Sequence, residues 1–208
     1  MKANQLQEGD DWMLARVGAF TASRAADLMA KTKTGPSASR GNLLTLLAVE
    51  RLTGQPVETY SNAAMQRGIE LEAEARDAYS FQTGNAVQEV GYVPHPTIAR
   101  AGCSPDGLCG DSGLVELKVP ASMAKHLDAL RTGAHAQEYA WQLQHQLWVT
   151  DRDWVDAVSY DPRFPDGLQL AIKRVYRDSE AIPALQAAVI AADREVDEMV
   201  RELEALRQ

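Results

Sequence analysis

Ser104-Pro105-Asp106-Gly107-Leu108 and, after an interval of five residues, Leu114-Val115-Glu116-Leu117-Lys118-Val119 decide how this chain is read. The second stretch alternates strictly, so a β-strand places Glu116 and Lys118 on one face and turns Val115, Leu117 and Val119 to the core. Gly110-Asp111-Ser112-Gly113 supplies turn chemistry between the two stretches. A hairpin therefore brings Asp106 beside Glu116. Two carboxylates in one cleft suit a hard, oxygen-preferring cation such as Mg²⁺. Glu-x-Lys alone also fits an ordinary amphipathic strand with solvated charges; the upstream Pro-Asp and the features below favour the site.

Composition bounds the rest. With 208 residues, 45% apolar and 24% charged, the sequence reads as a soluble, globular chain forming one domain over 1–208. No apolar run approaches the roughly 18–20 residues a bilayer requires, and Met1-Lys2-Ala3-Asn4-Gln5 lacks a hydrophobic signal region, so a cytoplasmic location is expected. Cys103 and Cys109 could pair, but a reduced state is expected, and two thiols are too few for a four-thiolate iron–sulfur cluster. The net charge of −8 argues against a protein that coats nucleic acid. Yet between Trp12 and Val49 stand Arg16, Arg24, Lys31, Lys33 and Arg40 against one acid, Asp27. A local basic channel on an acidic body fits that distribution.

Along the chain, Phe20-Thr21-Ala22-Ser23 reads as a helix start with Thr21 or Ser23 as N-cap. The stretch 31–41 is a flexible basic loop, after which Asn42 caps an apolar helix over 43–52. A long helix over about 63–81 is broken by Gly84-Asn85. Strand-like segments follow at 87–93, 99–108 and 114–119. A helix begins at Pro120-Ala121-Ser122 and ends near Thr132-Gly133, and another spans about 138–149. Strands at 154–160 and 168–176 precede an amphipathic helix over about 183–206, whose periodicity fits packing on its own core or on a neighbour. This is a mixed sheet flanked by helices, an α/β (α+β) domain.

A third carboxylate comes from the long helix. At about 100° per residue with Met65 at zero, Ile69, Glu72, Arg76 and Tyr79 fall within about 40° of it, and Glu70 and Glu74 on the far side. Glu72 then points toward the protein, where an ionised carboxylate is costly unless paired or metal-bound. An i,i+4 pair with Arg76 is one account of it. Beside Asp106 and Glu116, a metal ligand is the preferred one.

Taken in order, these residues resemble the phage lambda exonuclease family, the YqaJ-like viral recombinases or alkaline exonucleases among the PD-(D/E)xK nucleases. In many nucleases an Asp after a proline and a later Glu-x-Lys assemble a magnesium site. The matching residues are Arg16-Val17-Gly18 with Thr21-Ala22-Ser23, Arg67-Gly68 through Leu71-Glu72 to Ala75-Arg76, and Cys103-Ser104-Pro105-Asp106-Gly107-Leu108. Glu116-Leu117-Lys118 with Pro120, Gln142-Leu143-Gln144 with Leu147-Trp148-Val149-Thr150, and Tyr160-Asp161-Pro162-Arg163 complete the set. It spans most of residues 12–163.

The resemblance implies a restriction-endonuclease-like core and a 5′→3′ exonuclease on linear duplex DNA. Such an enzyme releases 5′-mononucleotides and leaves 3′ overhangs for single-strand annealing. It implies Mg²⁺, two per site with Mn²⁺ able to substitute, held by Asp106, Glu116, the Leu117 carbonyl and Glu72. Lys118 would orient or deprotonate the attacking water, with nearby cations lowering its pKa. A 5′-phosphate pocket would use Arg16, Ser23, Ser104 and Gln142, and a helix N-terminus near Ser23 together with a bidentate Arg16 suits such an anion. Lys31, Lys33, Arg40 and Gln144 are candidates for contacting the duplex. Gln142 and Gln144 lie at i,i+2 and cannot share a helix face, so one reaches the DNA end and the other does a structural job. His126 and His145 read as ordinary histidines, since Mg²⁺ does not favour imidazole.

The resemblance further implies a ring-shaped homotrimer threaded by DNA, a single-strand annealing protein as partner, and a phage or prophage protein in the bacterial host cytoplasm. No membrane partner is expected. Two alternatives remain: a structure-specific or restriction-type endonuclease on the same core, and a non-catalytic DNA-end clamp.

Overall fold

The computed structural model describes residues 10–33, 35–57 and 63–207, of which 10, 11 and 63–65 are described by backbone alone. A short helix α1 (Asp10–Leu14) leads to β1 (Phe20–Thr21), a 3₁₀ turn (Ala22–Arg24) and α2 (Ala25–Met29). A small hairpin of β2 (Lys31–Thr32) and β3 (Gly35–Pro36) precedes α3 (Ala38–Thr53) and the long α4 (Ala63–Thr83). Next come β4 (Val87–Gln88), β5 (Val93–Pro94), β6 (Ala101–Cys103), β7 (Gly107–Cys109) and β8 (Gly113–Lys118). Three helices, α5 (Met123–Thr132), α6 (Ala134–Glu138) and α7 (Ala140–Thr150), cross to β9 (Trp154–Tyr160) and its partner β10 (Leu170–Tyr176). The helix α8 (Ala181–Glu204) and a 3₁₀ turn follow.

The central sheet runs β10-β9-β8-β7-β4 and is mixed. β8 and β9 are parallel, with Glu116 beside Ala157 and Lys118 beside Ser159, and the other pairs are antiparallel. Parallel neighbours cannot be joined by a tight turn, and the α5–α7 crossover supplies the connection. β8 is buried on both faces, as parallel pairing under helices demands. On one face Leu114 joins Val155, Ala157 and residues of α3, α7 and α8. On the other, Val115 and Leu117 pack with Ala75 and Tyr79 of α4 and Val158 and Tyr160 of β9. Each such aliphatic side chain stabilises by about 1.5–3 kcal/mol when fully buried. Gly110 turns the β7–β8 hairpin at φ 55, and at Gly113 a Cβ would strike the Trp154 ring at 2.1 Å.

The mixed sheet between helices is the architecture the sequence pattern predicts. Several local expectations differ. The helical start expected over 20–23 is present as the 3₁₀ turn from Ala22 with Thr21 at its N-cap, but Phe20 and Thr21 also form a strand parallel to β6, and neither Thr21 nor Ser23 caps through its side chain. The basic stretch 31–41 is a hairpin followed by helix, whose N-cap is Ser37, accepting from Arg40 N–H at 3.2 Å, so Asn42 lies inside α3. The segments 87–93 and 99–108 each split between two sheets, because Pro105 cannot extend a ladder and Asp106 turns the chain from β6 into β7. On α4 the buried stripe centres on Ala75 and Tyr79, while Ile69 is 61% exposed. Glu72 is therefore on the flank of the packed face. Met65 lies outside the described side chains. α8 packs on its own core through Leu185, Val189, Ala192 and Val196.

Candidate active site

Ser104-Pro105-Asp106 is the crossing between the sheet β1-β6-β5 and the five-stranded sheet. The register of Gly107 opposite Val115 leaves Asp106 across from Glu116. Asp106 Oδ2 accepts the backbone N–H of Leu117 at 2.6 Å. Burial, then the charge of Glu116, hold the Asp106 carboxyl well above its usual range, with Lys118 opposing.

Glu116 is 3% exposed. An ionised carboxylate survives there only if its oxygens are bonded. Lys118 Nζ donates to Oε1 at 2.5 Å, the Gln142 amide donates to the same oxygen, and the Gln146 amide donates to Oε2. Gln142 and Gln146 stand one turn apart on α7, so a single helix face clamps the acid. Lys118 also lies 4.8 Å from the centre of the Tyr139 ring. Burial pushes its ammonium down, but Glu116 and Asp106 outweigh burial and hold it above the ordinary lysine range. A cavity of about 400 Å³ opens beside it, lined in part by Pro120, Tyr139 and Ser159.

Glu72 makes the i,i+4 pair that is one of its two sequence readings. It accepts from Arg76 Nη2 at 2.6 Å, and Arg76 also meets Glu89 at 2.8 Å. Burial raises the Glu72 carboxyl; Arg76 lowers it, and Glu116 and Glu89 raise it again. Among the described residues, no three His, Cys, Asp or Glu side chains are drawn together as a ready cage for a metal ion. The donor set nonetheless fits one. Asp106 and Glu72 are both held up by burial and by the charge of Glu116, so a cation among them would relieve a repulsion. With the Leu117 carbonyl the donors are all oxygen, which suits Mg²⁺.

The second cluster forms at the other end of the same tripeptide. Ser104 Oγ accepts from Trp12 Nε1 at 3.1 Å, and the Arg16 guanidinium lies 4.2 Å over the Trp12 ring. Burial, with Arg24 nearby, lowers the Arg16 pKa. Arg24 itself forks onto the buried Glu50 at 2.8 and 3.0 Å, and Gly18 N–H donates to that carboxylate at 2.8 Å. Ser23 is exposed, with its Oγ 3.3 Å from Thr21 Oγ1.

Gln142 is brought to Glu116. Gln144 is buried and structural: its amide donates to Tyr176 O and accepts from Asp178 N–H, both at 2.9 Å. Lys31 and Lys33 stand exposed at the small hairpin. Arg40 forks onto Glu195 at 2.7 and 3.0 Å, fastening α3 to α8. His126 bonds Ser159 at 2.8 Å and Leu168 O at 2.9 Å, while burial pushes the His145 imidazole down to about 3. Cys103 and Cys109 are buried, free thiols. Sequence reasoning passed over Trp12, Glu50, Tyr139 and Gln146. Only Gln146 carried a signal, its i,i+4 spacing from Gln142.

The model of the YqaJ-like viral recombinase domain matches residues 11–153. The chain belongs to that family. Two crystal structures of LHK-Exo, an alkaline exonuclease from Laribacter hongkongensis, one of them in complex with dAMP, share 44% sequence identity with it. Each superposes at a TM-score of 0.87, covering 95% of this chain and 97% of the other. A phage-related exonuclease from Haemophilus somnus shares the fold at 17% identity and a TM-score of 0.72, covering 89% of this chain and 96% of its own. A search of curated proteins returns no match. The matched family segment contains every carboxylate, lysine and glutamine of the cluster on Glu116. Among the described residues, no helix is long and apolar enough to cross a membrane.

Proposed function

We propose that this chain is a Mg²⁺-dependent exonuclease that digests one strand of linear duplex DNA from its 5′ end to 5′-mononucleotides, leaving a 3′ overhang. The observation that carries the reading is the convergence of Asp106, Glu116 and Lys118 at the β7–β8 hairpin, in a chain 44% identical to an alkaline exonuclease. Asp106, Glu116, the Leu117 carbonyl and Glu72 would hold the cation, with Mn²⁺ able to replace Mg²⁺ and room in the role for two ions. A cation held by these residues would supply charge neutralisation at the scissile phosphate and at the leaving 3′ oxygen, and would lower the pKa of water. Lys118 orients the attacking water or takes its proton; further cationic charge on the same carboxylates disfavours the ammonium form and frees the amine for that work. Gln142 keeps Glu116 in place from α7.

Arg16 and Ser104, joined through Trp12, are assigned to the 5′ phosphate, as is Ser23. A guanidinium is a bidentate partner for that anion. Lys31 and Lys33 remain assigned to the duplex, Arg40 and Gln144 being engaged elsewhere in the fold. A ring-shaped homotrimer, a single-strand annealing partner and action in a bacterial host cytoplasm complete the reading, supported by family membership alone.

The test is a digestion series with Mg²⁺ on linear duplex bearing a 5′ phosphate, the same duplex with a 5′ hydroxyl, and a covalently closed circle. Loss of the phosphorylated duplex from its 5′ end, with the circle spared and EDTA blocking the reaction, is expected. Cleavage of the circle would replace this reading with an endonuclease, and tight end binding without cleavage with a clamp.

A further inference from the structure

Gln146 is 0% exposed in the middle of α7, and its Nε2 donates to Glu116 Oε2. Its own Oε1 is buried without a hydrogen-bond partner. An unbonded amide oxygen in a core is a cost that an apolar side chain of the same size would avoid. Rotating the amide would not help, because the oxygen would then face a carboxylate. Packing therefore does not explain a glutamine here; its bond to Glu116 does.

The donors on Glu116 are unevenly divided. Lys118 and Gln142 both take Oε1, which fills the two acceptor sites of that oxygen. Oε2 receives Gln146, so one of its two sites remains for a further partner.

We propose that Gln146 is a positioning residue for the cation site: it anchors Glu116 Oε2 through one acceptor site and so presents the other to the metal. The inference rests on the reading of Glu116 as a metal ligand. Partners that orient a metal-binding carboxylate, without touching the metal, typically account for 10–100-fold in metal affinity or activity. Gln144, two positions away and bonded to Tyr176 O and Asp178 N–H, is the matched control for a glutamine that only supports the fold.

The experiment is calorimetric titration of Mg²⁺, without DNA, into the wild type, Glu116→Gln, Gln146→Met and Gln144→Met, with a thermal melt of each. Gln146→Met should bind Mg²⁺ about 10–100-fold more weakly, and the concentration of Mg²⁺ needed for half-maximal cleavage should rise by more than the rate at saturating Mg²⁺ falls. Gln144→Met should lose melting temperature and keep Mg²⁺ affinity. Should Gln146→Met fail to fold, Gln146→Asn, which draws the amide back by one methylene, is held to the same criterion. Mg²⁺ affinity within twofold of wild type in the Gln146 variant, with affinity lost in Glu116→Gln, would overturn the inference alone. Unchanged affinity in Glu116→Gln would overturn the metal-site reading and the inference together.

Discussion

Replacing His145 by phenylalanine should remove a large part of the acid sensitivity of this protein. His145 is 0% exposed on α7, with the Trp148 ring edge-on at 5.2 Å and the backbone of Gly102 and Phe20 against it. Burial pushes its imidazole from the ordinary 6.5 down to about 3. A group with a lowered folded pKa takes its proton first in the unfolded chain, so its contribution is complete above pH 6.5 and is lost as pH falls toward about 3. At about 1.4 kcal/mol for each pH unit, the loss reaches about 3 kcal/mol by about pH 4 and about 5 kcal/mol by about pH 3. His95, also lowered by burial, acts in the same direction. Asp106 and Glu72, held up, act in the opposite one. The quantity to read is therefore the difference between wild type and His145→Phe in urea unfolding free energy, at about pH 7.5, 5.5 and 4. That difference should move by about 3 kcal/mol in favour of the variant between the first and last of these. Parallel curves would refute the reasoning. The consequence reaches the site, because the helix that buries His145 also presents Gln142 and Gln146 to Glu116.

Lys118→Met should lower cleavage by about 10²–10⁴-fold, the usual worth of a positioned proton-transfer group, with duplex binding in a gel shift largely retained; near-normal turnover would strip Lys118 of its role. Arg16→Ala should erode the preference for 5′-phosphorylated over 5′-hydroxyl ends, and an unaltered preference would place the pocket elsewhere. Glu50→Ala leaves the Arg24 fork and the Gly18 N–H without their acceptor, and should cost about 3 kcal/mol in urea unfolding, the low end for breaking a buried pair because Arg24 keeps some solvent. A loss below about 1 kcal/mol would show the pair to be no better than a surface one.

The central hairpin was legible because its signal is local: strict alternation in Leu114–Val119 and turn residues before it fix both register and facing. That Glu116 is buried rather than solvated was not legible, since alternation cannot say whether a second layer covers the other face. That layer is α7, whose glutamines arrive from 26 and 30 residues away. The helical start expected at Thr21 is there as a 3₁₀ turn without a side-chain cap, and what the sequence could not show is the pairing of Phe20 and Thr21 with β6, 81 residues on. On α4 the expected stripe took Ile69 as inward because it is apolar. Tyr79 of that stripe is buried as expected, but Ala75 rather than Ile69 packs beside it, and Glu72 reached the site's edge from its flank. Arg40 read as free in the sequence because its partner Glu195 lies 155 residues away.

The crossing at Ser104-Pro105-Asp106 bears on how the two clusters could cooperate. Ser104 meets Trp12, over which Arg16 lies, at the end of β6, while Asp106 lies across from Glu116 at the start of β7. Two residues of fully extended chain span at most about 7 Å, and Pro105 stiffens that span by fixing its φ. In the proposed reading Ser104 meets the terminal phosphate and Asp106 serves the scissile one, so a proline-stiffened link no longer than about 7 Å separates the two functions. Along one strand of duplex DNA each phosphate advances about 3.4 Å of helix axis, so a link of about 7 Å reaches one or two phosphates along the strand and none further. In that reading a short product follows from an anchor and metal ligands that are neighbours in the chain. Inserting a glycine after Pro105 should therefore produce dinucleotides or abolish cleavage, as resolved on a denaturing gel. Clean mononucleotide release from that insertion would show that the spacing is set elsewhere.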